Sequence, residues 1–344
     1  MTPPLVSVVV PTHDRAPLLP RLLRSVLGQR DVELELLVVD DGSCDATAQV
    51  LARCDDPRLR VLRHATAQGV AAARNTGTRA ARGRWVAWCD DDDVWAPTKL
   101  ALQLQAVAAS PGALWCNGGC AYVDPALELS RVRSCPDPRT VAQDMLHFNA
   151  VTGGGSGVLA ERELVLSLGG FDTTFSMYAD WDMWARLAQA APLAVVDLPL
   201  VGYLQHAGGM SQRGLHLAFD ELEDLQASLA RLGARSGRPV ALDRKGLGMW
   251  MLRQQTSAGR RRDNLVLPFR LLRAGCVTPA RAVAYSLLTA LTPALIEWRW
   301  ASFWEVDPEP MAYADAWLEV LREQEREPRP PRRSAGVSAP PRPR

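Results

Sequence analysis

The sequence predicts an α/β chain: a mixed, mainly parallel sheet with helices on both faces, followed by a helical C-terminal extension. Three observations carry this. Short apolar runs alternate with helix-spaced segments from residue 5 to about 123. The runs are nearly continuous in Val and Leu, which marks strands buried on both faces. From about residue 211 onward only helical spacing remains.

The elements follow in order. Strand 6-VSVVV-10 leads to helix 18-LLPRLLRSVLGQ-29, with Pro17 near its start, where a missing N–H costs nothing. Strand 35-ELLVV-39 precedes helix 45-DATAQVLARC-54, and strand 59-LRVLR-63 precedes helix 70-VAAARNTGTRAA-81. Strand 85-WVAWC-89 precedes helix 98-TKLALQLQAVAA-109, opened by Pro97, and strand 113-ALWCN-117 closes the regular alternation. Residues 124–140 read as a loop excursion, and 153-GGGSG-157 as a flexible run entering a short strand, 158-VLA-160. Helix 161-ERELVLSLGG-170 stops on glycines. A helix starting at Asp180, strands 193-LAVVD-197 and 200-LVGYLQH-206, and helices such as 215-LHLAFDELEDLQASLARLG-233 follow. The tail 327-EPRPPRRSAGVSAPPRPR-344 has almost nothing to bury and is predicted disordered. These features divide the chain at 1–212, 213–326 and 327–344.

Composition narrows the function. Hydrophobic residues at 47% supply a sizeable core, and a formal net charge of +1 gives no global field to attract nucleic acid. The N-terminus, MTPPLVSVVVP, has no basic flank and no long apolar region, so no signal peptide is predicted. Seven scattered cysteines fit a reducing cytoplasm, and Cys116 and Cys120 are too widely spaced, without a second pair, for a zinc site. No apolar run reaches the roughly 20 residues that span a bilayer. The nearest, 282-AVAYSLLTALTPALI-296, runs into 297-EWRW-300. It reads as a buried helix or as a peripheral contact of 282–300 with the inner face of the membrane.

In parallel α/β sheets ligands gather at the carboxyl ends of the strands. Those ends read 11-PTHDR-15, 40-DDGSCD-45 and 90-DDDD-93, and they should share one crevice. The third is the most telling. A solvated turn needs one or two aspartates. Four in a row raise one another's proton affinity unless a cation relieves them. Hard divalent cations take oxygen ligands and often share one or two carboxylates with a substrate phosphate. In an extended segment Asp90 and Asp92 would face one side together. Neither a GxxxxGK[ST] loop nor a GxGxxG stretch is present, so carboxylates, a metal and strand-end backbone are left to hold a nucleotide.

Six stretches then fall in register: 7-SVVVPTHDR-15, 38-VVDDGSCDAT-47, 69-GVAAARNTG-77, 85-WVAWCDDDDVWAPTKL-100, 156-SGVLAERELVLSLGGFD-172 and 178-YADWDMWARLA-188. Together, over residues 5 to about 212, they resemble a family 2 glycosyltransferase of the inverting, non-processive type. The resemblance implies a GT-A (Rossmann-like) fold with 1–212 as the nucleotide-sugar-binding and catalytic domain. It implies Pro11, Thr12, Asp14 and Arg74 about the nucleotide, Asp41 on its base, and a metal-binding DxD on Asp90-Asp91-Asp92. Asp92 is the best metal ligand, Asp90 the second, and Asp91 stands by the nucleotide. The implied cofactor is Mn²⁺ or Mg²⁺, and the implied donor a UDP-, GDP- or dTDP-sugar. The family's Glu-Asp pair reads Ala179-Asp180, so the catalytic base is kept as Asp180 and its acidic neighbour is lost. His206 resembles a histidine that meets the diphosphate or metal, and 207-AGGMSQR-213 a lid beyond it.

Gly154 and Gly155 are acceptor-side candidates by their place between nucleotide half and base helix. Trp181 and Trp184 read either as sugar platforms or as core. The acceptor is a glycan, lipid-linked or other hydroxyl. A QxxRW stretch is absent, which favours addition of a single sugar. Two other classes stay open: a metal-dependent nucleotidyltransferase or nucleotide-sugar hydrolase, and a non-catalytic nucleotide-sugar-binding protein.

Overall fold

A computed structural model describes residues 5–206, 219–257, 261–291 and 308–326. The strands are β1 (Val6–Thr12), β2 (Leu34–Asp40), β3 (Leu59–Arg63), β4 (Trp85–Trp88), β5 (Val94–Trp95), β6 (Trp115–Val123), β7 (Leu129–Arg133), β8 (Val158–Glu161) and β9 (Leu193–Leu204). They form one nine-stranded sheet in the order β3-β2-β1-β4-β8-β6-β9-β5, with β7 paired to β6. β1, β2, β3 and β4 are parallel neighbours, and β6 runs parallel to β9. β8 is antiparallel to both β4 and β6 and joins the two parallel parts. The sheet is therefore mixed and mainly parallel, as predicted.

The N-terminal helices are α1 (Leu19–Leu27), α2 (Thr47–Leu51), α3 (Val70–Ala80) and α4 (Lys99–Ala109). They match the sequence reading within a few residues. Then come α5 (Val141–Asp144), α6 (Arg162–Ser167) and α7 (Ala179–Ala190), and after them α8 (Leu222–Arg235), α9 (Arg244–Ser257), α10 (Arg261–Arg273), α11 (Pro279–Leu291) and α12 (Pro308–Arg326).

Three strand expectations change. The strand foreseen at 113–117 starts at Trp115 and extends to Val123. The excursion at 124–140 contains β7, whose polar pattern hid it. The strands foreseen at 193–197 and 200–206 are one, β9, and the irregularity between them is taken up as register shifts against Gly118–Cys120. The tail at 327–344, the stretch 207–213 and Trp298–Trp300 lie outside the described residues.

Strands β1, β2 and β4 are buried on both faces because successive side chains of an apolar strand point opposite ways. Val6, Val8 and Val10 pack with Leu22 and Val26 of α1 and Leu100 of α4. Val9, Leu37 and Val39 pack on the other face with Ala73 of α3, Trp88 and Trp184. There Trp88, Phe171 and Trp184 interlock at centroid distances of 5.2 to 5.5 Å. Gly77 is required where α3 crosses β1, since a Cβ there would lie 2.3 Å from Val9 Cγ1. A third apolar cluster seats Ala314, Trp317, Leu318 and Leu321 of α12 against Val94, Ala121 and Leu200. Trp317 Nε1 donates to the Pro199 carbonyl (3.0 Å), and Arg21 of α1 holds Glu325 by two bonds of 2.6 and 2.7 Å.

Candidate functional site

The carboxyl ends of β1, β2 and β4 meet, as parallel pairing requires. Asp14 takes a left-handed backbone (φ 51°) just past β1. Its N–H donates to Ser43 Oγ (3.0 Å), and its Oδ1 accepts from the backbone N–H groups of Cys44 (2.7 Å) and Asp45 (3.2 Å). One side chain thus stitches the loop after β1 to the loop after β2. Asp41, buried at 4% exposure, accepts from Gln68 and Gly69 N–H at 2.9 and 2.8 Å. His64 Nδ1 lies 2.6 Å from its Oδ1. Gly69 immediately precedes α3, so Asp41 fixes the chain where it enters that helix. Three of its roughly four acceptor positions are filled internally. Pro11 is buried within β1, and Thr12 Oγ1 donates to Asp91 Oδ2 (2.8 Å).

The four aspartates form a turn, closed by Asp93 N–H to the Asp90 carbonyl (3.1 Å). Strand alternation does not apply to a turn, so the shared face foreseen for Asp90 and Asp92 is corrected. The carboxylates go four ways. Asp90 accepts from buried Arg74 through Oδ1 (2.5 Å). Asp91 is held by Thr12, and burial with the nearby Asp92 charge pushes its carboxyl up to about 7. Asp92 Oδ2 lies 2.9 Å from His206 Nε2 and 3.8 Å from Arg15 Nη1. Asp93 accepts from Ser156 Oγ (2.5 Å) and from Leu204 N–H (3.1 Å). Ser156 Oγ in turn accepts from Asp90 N–H (2.9 Å). Burial, reinforced by Asp92 and Asp90, holds the Asp93 carboxyl well above the usual carboxylate range.

Asp93 thereby ties the acidic turn to the 3-10 turn Gly154–Gly157 and to β9, two residues before His206. Sequence reasoning gave it no such part. Its one signal was the apolar pair after it, which draws the end of the run inward. Gly154 and Gly155 back onto Asp90. A Cβ on Gly155 would lie 2.7 Å from Arg74 Nη2, and one on Gly154 would lie 3.9 Å from Asp90 Oδ2.

Asp180 stands in the first turn of α7, half-buried, and accepts from Trp181 N–H (2.7 Å). Burial raises its carboxyl above the ordinary carboxylate value, while the Arg74 charge and the Trp181 N–H pull the other way. Asp182, two residues on, is buried and engaged by Arg186 (2.6 Å) and Ser228 (2.8 Å). Trp181 is 3% exposed and its Nε1 donates to the Met145 carbonyl (2.8 Å). Its ring faces the core, and the acceptor-side role foreseen for it is corrected. Trp184 is fully buried too.

A further residue comes from beyond the stretch that carries the sequence motifs. Glu221, just before α8, accepts from the backbone N–H groups of Ser176 (2.5 Å), Met177 (2.9 Å) and Tyr178 (3.3 Å). Its carboxylate closes the chain entry to α7 and favours that helix's positive end. Nothing in the local pattern at 219–225 distinguishes it from an ordinary helix-start glutamate.

Among the described residues no group of three or more His, Cys, Asp or Glu forms a ready-made metal cluster. Asp92 and His206 supply one oxygen and one nitrogen donor facing each other. That donor set suits an ion whose other ligands are water and substrate phosphate.

The family model described as glycosyl transferase family 2 matches residues 7–165. A glycosyltransferase of Haemophilus influenzae, named only as uncharacterized, is 27% identical over 194 residues, covering 54% of this chain and 62% of its own. The Escherichia coli enzyme WfgD, a UDP-Glc:α-D-GlcNAc-diphosphoundecaprenol β-1,3-glucosyltransferase, is 38% identical over 100 residues, 29% of this chain and 40% of its own. The matched stretch thus covers less than two thirds of either relative. Among solved structures, Staphylococcus aureus TarS 1–349 with UDP-GlcNAc superposes with a TM-score of 0.52 at 15% identity, over 93% of this chain and 91% of that one, a likeness of fold.

Proposed function

Because the chain belongs to glycosyl transferase family 2, we propose that it moves one sugar from a nucleoside-diphosphate sugar to an acceptor hydroxyl, with inversion, in the assembly of a polysaccharide or other glycan. The observation that carries the reading is the convergence of the acidic turn, Arg74 and Asp180. These come from three separate segments, and Arg74 lies within electrostatic reach of both Asp90 and Asp180. In this reading residues 1–212 bind the donor and carry the chemistry, and 213–326 are accessory. The donor is a UDP-, GDP- or dTDP-sugar; that WfgD takes UDP-Glc supports the first.

The loops after β1 and β2, stitched by Asp14, form the nucleoside floor beside Pro11 and Thr12. Asp41 keeps one acceptor position toward the base. Asp92 and His206 would hold Mn²⁺ or Mg²⁺, which when bound neutralises charge on the departing diphosphate. Arg15, beside both, adds a fixed cation for the phosphates. Asp180 takes the proton of the acceptor hydroxyl as it attacks the anomeric carbon. A single displacement with base and leaving group on opposite faces inverts that centre. Arg74 keeps the Asp180 carboxylate available against its burial. The fixed positions of turn and base contribute by orienting both reactants.

The test is Asp180→Asn. Donor binding, followed by calorimetry with Mn²⁺ present, should persist while transfer falls at least 10³-fold. Wild-type turnover in this variant would remove Asp180 from the mechanism. Loss of donor hydrolysis alone, with no acceptor found, would favour the nucleotide-sugar hydrolase.

A further inference from the structure

The outward faces of α10 and α11 carry a pattern that the donor site does not use. On α10, Val266, Phe269, Arg270 and Arg273 follow the spacing i, i+3, i+4, i+7 and all are exposed. On α11 the same spacing gives Ala280, Val283, Ala284 and Leu287, again exposed, with Arg281 beside them. Helical residues so spaced lie on one face. Val266, Phe269, Val283 and Leu287 are 49 to 55% exposed, and they are half of the large exposed hydrophobics among the described residues. Surface helices of a globular protein normally turn such a stripe inward. Here the inward stripe exists as well: Leu267, Leu271 and Ala282 are buried in the main core. The hairpin is apolar on both sides.

Charge identifies what the outer side meets. From 261 to 291 the sequence holds five arginines against one aspartate. Arg270, Arg273 and Arg281 are exposed at the border of the apolar stripe, with no acidic partner among the described residues. No described helix is long and apolar enough to cross a membrane. Apolar side chains rimmed by arginine, on helices too short to span, match the interface of an anionic bilayer: the stripe enters the acyl boundary and the guanidinium groups meet lipid phosphates.

We propose that the α10–α11 hairpin docks the protein on an anionic lipid surface. The inner side of the same hairpin shares its core cluster with Tyr178, Ala179 and Trp181, which flank Asp180. Resting on the transfer reading above, this makes the acceptor a lipid-borne hydroxyl.

The experiment is co-sedimentation of the full chain with phosphatidylcholine vesicles, with and without 30 mol% phosphatidylglycerol. Binding should require phosphatidylglycerol and fall at least tenfold between 0.1 and 0.5 M salt. Phe269→Asp with Leu287→Asp, and separately Arg270→Ala with Arg273→Ala and Arg281→Ala, should each weaken it at least tenfold, with melting temperature within a few degrees of wild type. Absence of wild-type sedimentation, or equal binding by both variants, overturns the proposal. So does a wild-type dimer in light scattering that Phe269→Asp dissolves while vesicles are ignored, which would give the face to a second copy. Asp180→Asn should sediment like wild type, so a failed base assignment and a failed docking surface give different results.

Discussion

At the scale of single residues, the acidic run resolves into four unlike groups. The sequence showed that the run needed compensation; only the structure shows that Arg74, Thr12, His206 and Ser156 each take one carboxylate. Asp93 is the member whose part was least legible, because its partners lie 63 and 111 positions away. Asp93→Ala leaves the Ser156 hydroxyl and the Leu204 N–H buried without an acceptor and should cost about 2–4 kcal/mol. Asp93→Asn keeps the shape and one acceptor and should cost about half as much; urea unfolding of the pair checks the order. Asp180 makes a pH prediction. A carboxyl raised by burial must lose its proton to act as base, so kcat should fall as pH drops through a value above that of an ordinary aspartate. A kcat limb at or below the ordinary aspartate value would deny Asp180 that role.

Lys99 adds a second pH signature, in stability. Its side chain is fully buried, with Nζ donating to Gln103 Oε1 (2.7 Å) over the Trp95 ring at 4.0 Å. Burial pulls its pKa down to about 7 from 10.5. The folded lysine therefore sheds its proton while the unfolded one keeps it between those values. The penalty is full below pH 7 and disappears as pH rises to 10.5. Lys99→Met should lack that slope: its stability relative to wild type should decline by a few kcal/mol from pH 7 to 10.

At the scale of elements, periodicity carried most of the fold. β1, β2 and β4 are apolar runs, and β3 (LRVLR), though it carries Arg60 and Arg63, keeps its place in the strand–helix alternation, so each was legible. β7 (LSRVR) was not, because a short strand with Arg131 and Arg133 outside that alternation has neither an apolar run nor a following helix to mark it. β5 was not, because two residues carry no period. The base helix α7 was legible as a helix, but the device that fixes its start was not. Glu221 acts across a sequence gap of more than forty residues. Glu221→Ala should release three N–H donors, lower stability by about 1–2 kcal/mol, and reduce kcat several-fold with the donor KM unchanged. Glu221→Gln, which keeps an acceptor oxygen, should recover much of kcat. A rise in donor KM with kcat intact would place Glu221 on the nucleotide side instead.

At the scale of the whole molecule, α12 closes the sheet's β5–β9 edge region and returns to α1 through Arg21 and Glu325. Trp317→Ala removes a 7%-exposed indole and its bond to Pro199, and should cost about 3–5 kcal/mol in denaturant unfolding. None of this docking was legible in the sequence, which showed amphipathic helices but not their seats. The candidate site was legible to the extent that strand-end chemistry clusters in parallel sheets. The corrections at Asp90 and Trp181 arose where a turn replaced a strand and where an indole found a carbonyl in the core.

The place of β8 has a consequence for how the chain is made. β4 pairs with β1 on one side, and its other side waits for residues 159–161, more than seventy positions later. As the chain leaves the ribosome, β3, β2, β1 and β4 can assemble with a bare edge at Trp85–Ala87. An uncovered apolar edge is a template for pairing with other chains. The interval before β8 arrives, at ~5–20 residues per second, lasts several seconds. β8 ends that exposure, pairing with β4 on one side and with β6 on the other.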